Sequence, residues 1–142
     1  MSVAESYFDA VDRAAAPTVL IAEDERKLRQ RLVDQLTTNF GIAPYVATTG
    51  YEAIKLADEH RPELILLDGL LPEMHGFEVA RFIRRLDDGY YPHIAIVTAI
   101  YKQVRYHNEA RLKYGINDYI VKPVSDDALN GVVMRASQRM SS

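Results

Sequence analysis

Apolar residues fall into two alternating kinds of segment along this chain. Some are short and apolar at nearly every position: Thr18 to Ala22 (TVLIA), Ile42 to Ala47, Leu64 to Leu67, His93 to Val97 and Asp118 to Val121. These runs are predicted strands. Between them, apolar residues recur every three or four positions, as on one face of a helix. Leu28, Leu32, Val33 and Leu36 form the first such stripe. Thr49 to His60 turns Ala53, Ile54 and Ala57 inward, and Phe77 to Leu86 does the same with Val79, Ala80 and Ile83. The polar and aromatic stretch Tyr101 to Tyr114 reads as a fourth helix. Ser125 is placed to cap a fifth, whose inner face is Leu129, Val132, Val133 and Ala136.

Strands without polar alternation suit a parallel sheet covered on both faces. Alternation of five strands with five helices therefore predicts an α/β fold, a doubly wound five-stranded parallel sheet. Such sheets place their sites at the carboxyl ends of the strands. The polar residues at those ends are Glu23 and Asp24, Asp68, Thr98 and Lys122.

At 142 residues, 48% of them hydrophobic, the chain fits one domain with a substantial core. The net charge of -3 argues neither for nor against a nucleic-acid partner of the whole domain. The charge is uneven. From Tyr101 onward seven basic residues face four acidic ones, against ten and sixteen in the first hundred residues. Absence of Cys excludes disulfides and thiolate metal sites and fits a cytoplasmic setting. No apolar run approaches the roughly 18 residues of a membrane span. Residues 1–16 stand apart as an N-terminal extension. There Tyr7, Phe8 and Val11 could form a short amphipathic helix before Pro17, with the main domain at 17–142. Glu5, Asp9 and Asp12 in that extension do not fit a signal peptide.

Each polar strand-end residue has an ordinary explanation when taken alone. Acidic pairs start helices, an Asp after a strand serves turns, and a Thr or Lys there is commonly structural or solvated. Together they offer specific chemistry. Three converging carboxylates repel one another unless a hard divalent cation lies between them, and Mg²⁺ prefers such oxygen ligands. A metal, an ammonium and a hydroxyl around one carboxylate are what phosphoryl transfer onto that carboxylate requires.

The motifs resemble those of response-regulator receiver domains from two-component signalling. VLIAEDE at Val19 to Glu25 is similar to the acidic-pair motif. LILLDGLLPEMHG at Leu64 to Gly76 resembles the phosphoacceptor strand and loop, with Pro72 and Gly76 in the expected places. IAIVTA at Ile94 to Ala99 resembles the strand with the switch hydroxyl, and DYIVKP at Asp118 to Pro123 the switch aromatic and the lysine. The resemblance runs from about Thr18 to Met140.

It implies a flavodoxin-like (βα)5 sandwich with strand order 2-1-3-4-5. It also implies a phosphorylation switch, not an enzyme. Asp68 would accept a phosphoryl group from a histidine kinase or phosphotransfer protein. Glu23, Asp24, Asp68 and the backbone carbonyl of Leu70 would hold Mg²⁺ (or Mn²⁺). Thr98, the Ala99 backbone and Lys122 would bind the phosphoryl group. Thr98 and Tyr119 would switch, and Lys122–Pro123 would be a cis peptide. A downstream effector or output domain would read the fourth helix, fifth strand and fifth helix.

Some positions depart from the family pattern. Glu23 stands where Asp is frequent, Gly69 where a bulkier residue is usual, and His75 where Asp is frequent. His75 reads as a solvated loop residue and not as a second phosphorylation site. Leu70 and Ile100, two residues past Asp68 and Thr98, are apolar where the family lines the path of attacking water, so slow self-dephosphorylation is expected. The interval from Thr98 to Lys122 is about two residues longer than in compact members. Its Tyr101, Lys102, Arg105, Tyr106 and Arg111 give either an ordinary solvated basic face or a docking or homodimer surface. Two rival readings are a degenerate receiver used only to bind proteins and a phosphatase with an aspartyl nucleophile. The second is disfavoured because Leu70 stands where such a phosphatase places its second Asp. No output module is legible after residue 140, which fits either a stand-alone receiver or a fragment of a longer protein.

Overall fold

The computed structural model describes residues 16–86, 88–99 and 111–141. Its main sheet has five strands: β1 (Val19–Ala22), β2 (Tyr45–Ala47), β3 (Leu64–Asp68), β4 (His93–Thr98) and β5 (Asp118–Val121). Their order is β2-β1-β3-β4-β5 and every pairing is parallel. The doubly wound fold and the expected 2-1-3-4-5 order are thus borne out. The helices are α1 (Arg26–Phe40), α2 (Gly50–His60), α3 (Gly76–Arg84), a helical stretch α4 at 111–114, and α5 (Asp126–Ser141).

Burial on both faces explains the unbroken apolar strands. Val19 and Ile21 face a core layer under α1 and α5, with Leu32, Leu36, Phe40, Leu129, Val132 and Val133. Leu20 and Ala22 face the opposite layer, built from Ala53, Ala57, Val79, Ala80 and Ile83 of α2 and α3. Side chains of successive strand residues point to opposite faces, so a strand covered on both sides must be apolar at both. The stripes read from sequence are the faces that pack. Val33 and Ile54 are only half-buried at their margins.

Local chemistry sets several boundaries. Thr49 accepts the Glu52 backbone N–H at 3.1 Å and starts α2, and Ser125 accepts that of Ala128 at 3.1 Å and starts α5. α1 stops at Gly41, whose φ of 68° is left-handed and open to glycine at little cost. β2 is shorter than the predicted Ile42 to Ala47, because Pro44 lacks the N–H a paired strand needs. α3 ends at Arg84 and not at Leu86. Not anticipated was a two-residue antiparallel ribbon, Leu70–Leu71 against Met74–His75. Pro72 and Glu73 make its turn, with Glu73 at φ 66°. No described helix is long and apolar enough to cross a membrane.

Candidate phosphoacceptor site

The ends of β1, β3, β4 and β5 bring the polar residues together. Glu23 is buried just past β1, held by its N–H bond to the Ala47 carbonyl at 3.0 Å. Its Oε2 accepts the Glu25 N–H at 3.1 Å, while Asp24 beside it is exposed. Arg29 of α1 donates to the carbonyls of both Glu23 and Asp24, at 3.0 and 3.1 Å, which ties down the acidic pair's backbone. Asp68 is buried as the last residue of β3, and its Oδ1 accepts the Leu70 N–H at 3.0 Å.

Lys122 lies just past β5 and is fixed by its N–H bond to the Thr98 carbonyl at 2.9 Å. Its Nζ is 3.2 Å from Glu23 Oε1 and 3.4 Å from Asp68 Oδ1, so one ammonium bridges two buried carboxylates. The Lys122–Pro123 peptide is cis. Thr98 is buried at the end of β4, and Ala99 after it is exposed. Tyr119 is half-buried, its ring centroid 6.4 Å from that of Phe77. Leu70 and His75 are exposed partners across the ribbon. Ile100, residues 101–110 and the 1–15 part of the N-terminal extension lie outside the described residues.

Among the described residues, the cluster carries more acid than its one lysine balances. Glu23 is pushed up to about 7, above all by burial, with Asp68 adding to it and the Glu25 N–H and Lys122 opposing. Burial works against the Lys122 ammonium, yet Asp68 and Glu23 outweigh it and hold its pKa above the ordinary value. Carboxylate oxygens of Glu23, Asp24 and Asp68 all lie within 4.8 Å of one another. Glu23 Oε1 is buried without an aligned hydrogen-bond donor among the described residues, despite its short distance to Lys122. An all-oxygen donor set with a spare buried lone pair fits a hard divalent cation of the Mg²⁺ type.

Comparison with known proteins decides the family. The response regulator receiver domain family model matches residues 19–134. The chain belongs to this family. It is 35% identical over 128 residues to the transcriptional regulatory protein AfsQ1 of Streptomyces coelicolor, covering 88% of this chain and 54% of AfsQ1. It is also 35% identical over 108 residues to the polar-differentiation response regulator DivK of Brucella anthropi, covering 76% of this chain and 85% of DivK. The receiver thus spans about half of AfsQ1 but most of DivK. Among solved structures, the Francisella response regulator 1452 receiver domain matches with a TM-score of 0.76 and 29% identity, covering 87% of this chain and 98% of that one. Membership of this family supports a role in phosphorylation-dependent two-component signalling.

Sequence reasoning named the charged residues that the strand ends bring together but missed two supports. One is the ribbon that carries Leu70 and His75. The other is Arg29, an ordinary helix residue in sequence whose guanidinium braces the acidic pair.

Proposed function

We propose that Asp68 accepts a phosphoryl group from the phosphohistidine of a histidine kinase or phosphotransfer protein. A carboxylate oxygen of Asp68 attacks phosphorus, an acyl phosphate forms, and the phosphorus–nitrogen bond breaks to return the histidine. The observation that carries this reading is the bridging of Asp68 and Glu23 by Lys122. The ammonium is placed to neutralise the phosphoryl oxygens once the carboxylate carries them. Glu23, Asp24, Asp68 and the Leu70 carbonyl would hold Mg²⁺ or Mn²⁺, which supplies charge neutralisation during transfer. Thr98 and the Ala99 backbone then bond the phosphoryl group, and Tyr119 follows Thr98 inward.

The switch works as a population shift, because a ligand moves an equilibrium only through contacts that differ between its states. Thr98 and Lys122 supply those contacts. The changed surface is α4, β5 and α5, read by a downstream effector or output domain, or by a second copy in a homodimer. The receiver occupies 17–142 with 1–16 as an extension. It works in the cytoplasm and contacts neither membrane nor nucleic acid directly.

The test is acetyl phosphate with Mg²⁺, followed by intact-mass measurement. A gain of one phosphoryl group that disappears in Asp68→Asn and on chelation of the metal is expected. No gain with any phosphodonor would instead make the domain a receiver-like protein-binding module.

A further inference from the structure

Three glycines crowd the loop after Asp68, and they are not equivalent. A Cβ on Gly76 would lie 2.3 Å from the Asp68 carbonyl oxygen, so only glycine fits there. A Cβ on Gly50 would lie 2.8 Å from Val79 Cγ2 and 3.0 Å from Met74 Cβ, again too close. At Gly69 the nearest atoms would be Thr98 Oγ1 at 3.3 Å, Thr98 Cβ at 3.4 Å and Ile96 Cγ2 at 3.6 Å. That is tight but physically possible. Gly69 is also not among the positive-φ glycines of the described chain, which are Gly41, Gly89 and Gly115. Neither backbone conformation nor packing therefore demands a glycine at 69.

The register shows what the missing side chain affects. Asp68 pairs with Val97, and the Gly69 N–H donates to the Val97 carbonyl at 2.9 Å. One step further, residue 69 lies beside Thr98, and a side chain there would share a face with Thr98 and Ile96. We infer that Gly69 is a positioning residue that keeps open the space in which the Thr98 hydroxyl turns toward a phosphoryl group on Asp68. The inference rests on the reading of Asp68 as phosphoacceptor. Gly69 touches no reacting atom; it acts through Thr98.

The experiment compares wild type with Gly69→Ala. The Thr98 χ1 rotamer ratio is read from scalar couplings to its methyl group by NMR in the unphosphorylated protein. Phosphate lifetime on Asp68 is then read after acetyl phosphate and Mg²⁺. Gly69→Ala is expected to shift the rotamer ratio about threefold and to shorten the lifetime about threefold, since crowding moves a side chain between staggered wells. In a Thr98→Ala background, adding Gly69→Ala leaves the lifetime unchanged. Thr98→Ser, which removes the methyl and frees space, restores the lifetime of Gly69→Ala. An unchanged rotamer ratio overturns the inference. So does a lifetime effect of the same size without the Thr98 side chain. Wild type that takes no phosphoryl group counts against Asp68 as acceptor, while the rotamer ratio still tests the Gly69–Thr98 contact.

Discussion

The sheet holds buried charge at both ends, and the two ends solve the problem differently. At the amino-terminal end, Nε2 of His93 in β4 hydrogen-bonds Asp118 Oδ2 at 2.7 Å, and its Nδ1 meets the Arg139 guanidinium at 3.3 Å. Arg135 Nε also donates to both oxygens of Asp118 at 3.1 Å. Burial pushes the Asp118 carboxyl up, but His93 and Arg135 outweigh it and hold it below the ordinary value. At the carboxyl-terminal end the described residues include one lysine for three carboxylates, a Glu23 pushed up to about 7 and a buried oxygen without an aligned donor among them. Charge at one end is closed by the protein's own cations. At the other it is left open among the described residues, as the proposed metal and phosphoryl site requires.

Arg84 sharpens that comparison with the largest expected effect. It donates to the Pro92 carbonyl at 2.7 Å, to the Gly115 carbonyl at 2.6 and 3.2 Å and to Asn117 Oδ1 at 2.9 Å. Its guanidinium also lies 3.8 Å from the Tyr91 ring centroid. Burial lowers its pKa, Tyr91 opposes that and Arg139 adds to it. Arg84→Ala removes these donors, leaving Asn117 Oδ1 with the Ile94 N–H at 2.7 Å, and is expected to cost about 3 kcal/mol in urea unfolding. Phosphorylation of the protein that stays folded should proceed at the wild-type rate. A variant as stable as wild type would break the view of this end as a structural pin.

Glu23 tests the open end. Its folded pKa of about 7 exceeds the ordinary 4.5, so the folded state keeps a proton the unfolded chain has released. Its contribution to stability is full below the ordinary value and lost as pH rises through about 7. The metal-free domain should therefore lose stability between about pH 5 and pH 8. Glu23→Gln, which cannot ionise, should flatten that slope by about 1 kcal/mol or more in urea melts at the two pH values. Mg²⁺ must displace the same proton, so titration calorimetry should find roughly tenfold tighter binding at pH 8 than at pH 6. An affinity that ignores pH over this range would show that Glu23 is already ionised without metal.

The two ends were not equally legible in the sequence. Glu23, Asp24, Asp68 and Lys122 each follow an apolar strand directly, and a parallel sheet gathers all strand ends of one polarity at one edge. Periodicity alone thus converged them. His93 and Asp118 open their strands and were read only as strand residues, because their partners Arg135 and Arg139 sit on α5. No local pattern shows which arginines of a helix reach across to a sheet. The ribbon after Asp68 was missed for a different reason. Its turn has Pro72 in a favourable place but Glu73, not glycine, at positive φ, so the usual turn signal is absent.

Leu70 gives the smallest expected effect and bears on how open the site is to water. Its N–H holds Asp68 Oδ1, and its side chain is about half exposed beside the acceptor, opposite His75 in the ribbon. An apolar side chain there orients no water toward an acyl phosphate, whereas an amide could bind and aim one. Backbone bonds fix the ribbon, so Leu70→Asn should leave Asp68 in place and change only what faces solvent. Phosphate lifetime on Asp68 is expected to shorten about fivefold, about 1 kcal/mol of barrier. The rate of phosphorylation by acetyl phosphate should change less, because the nucleophile and Lys122 are untouched. An unaltered lifetime would mean that attacking water approaches from another side, and that the open end is gated elsewhere.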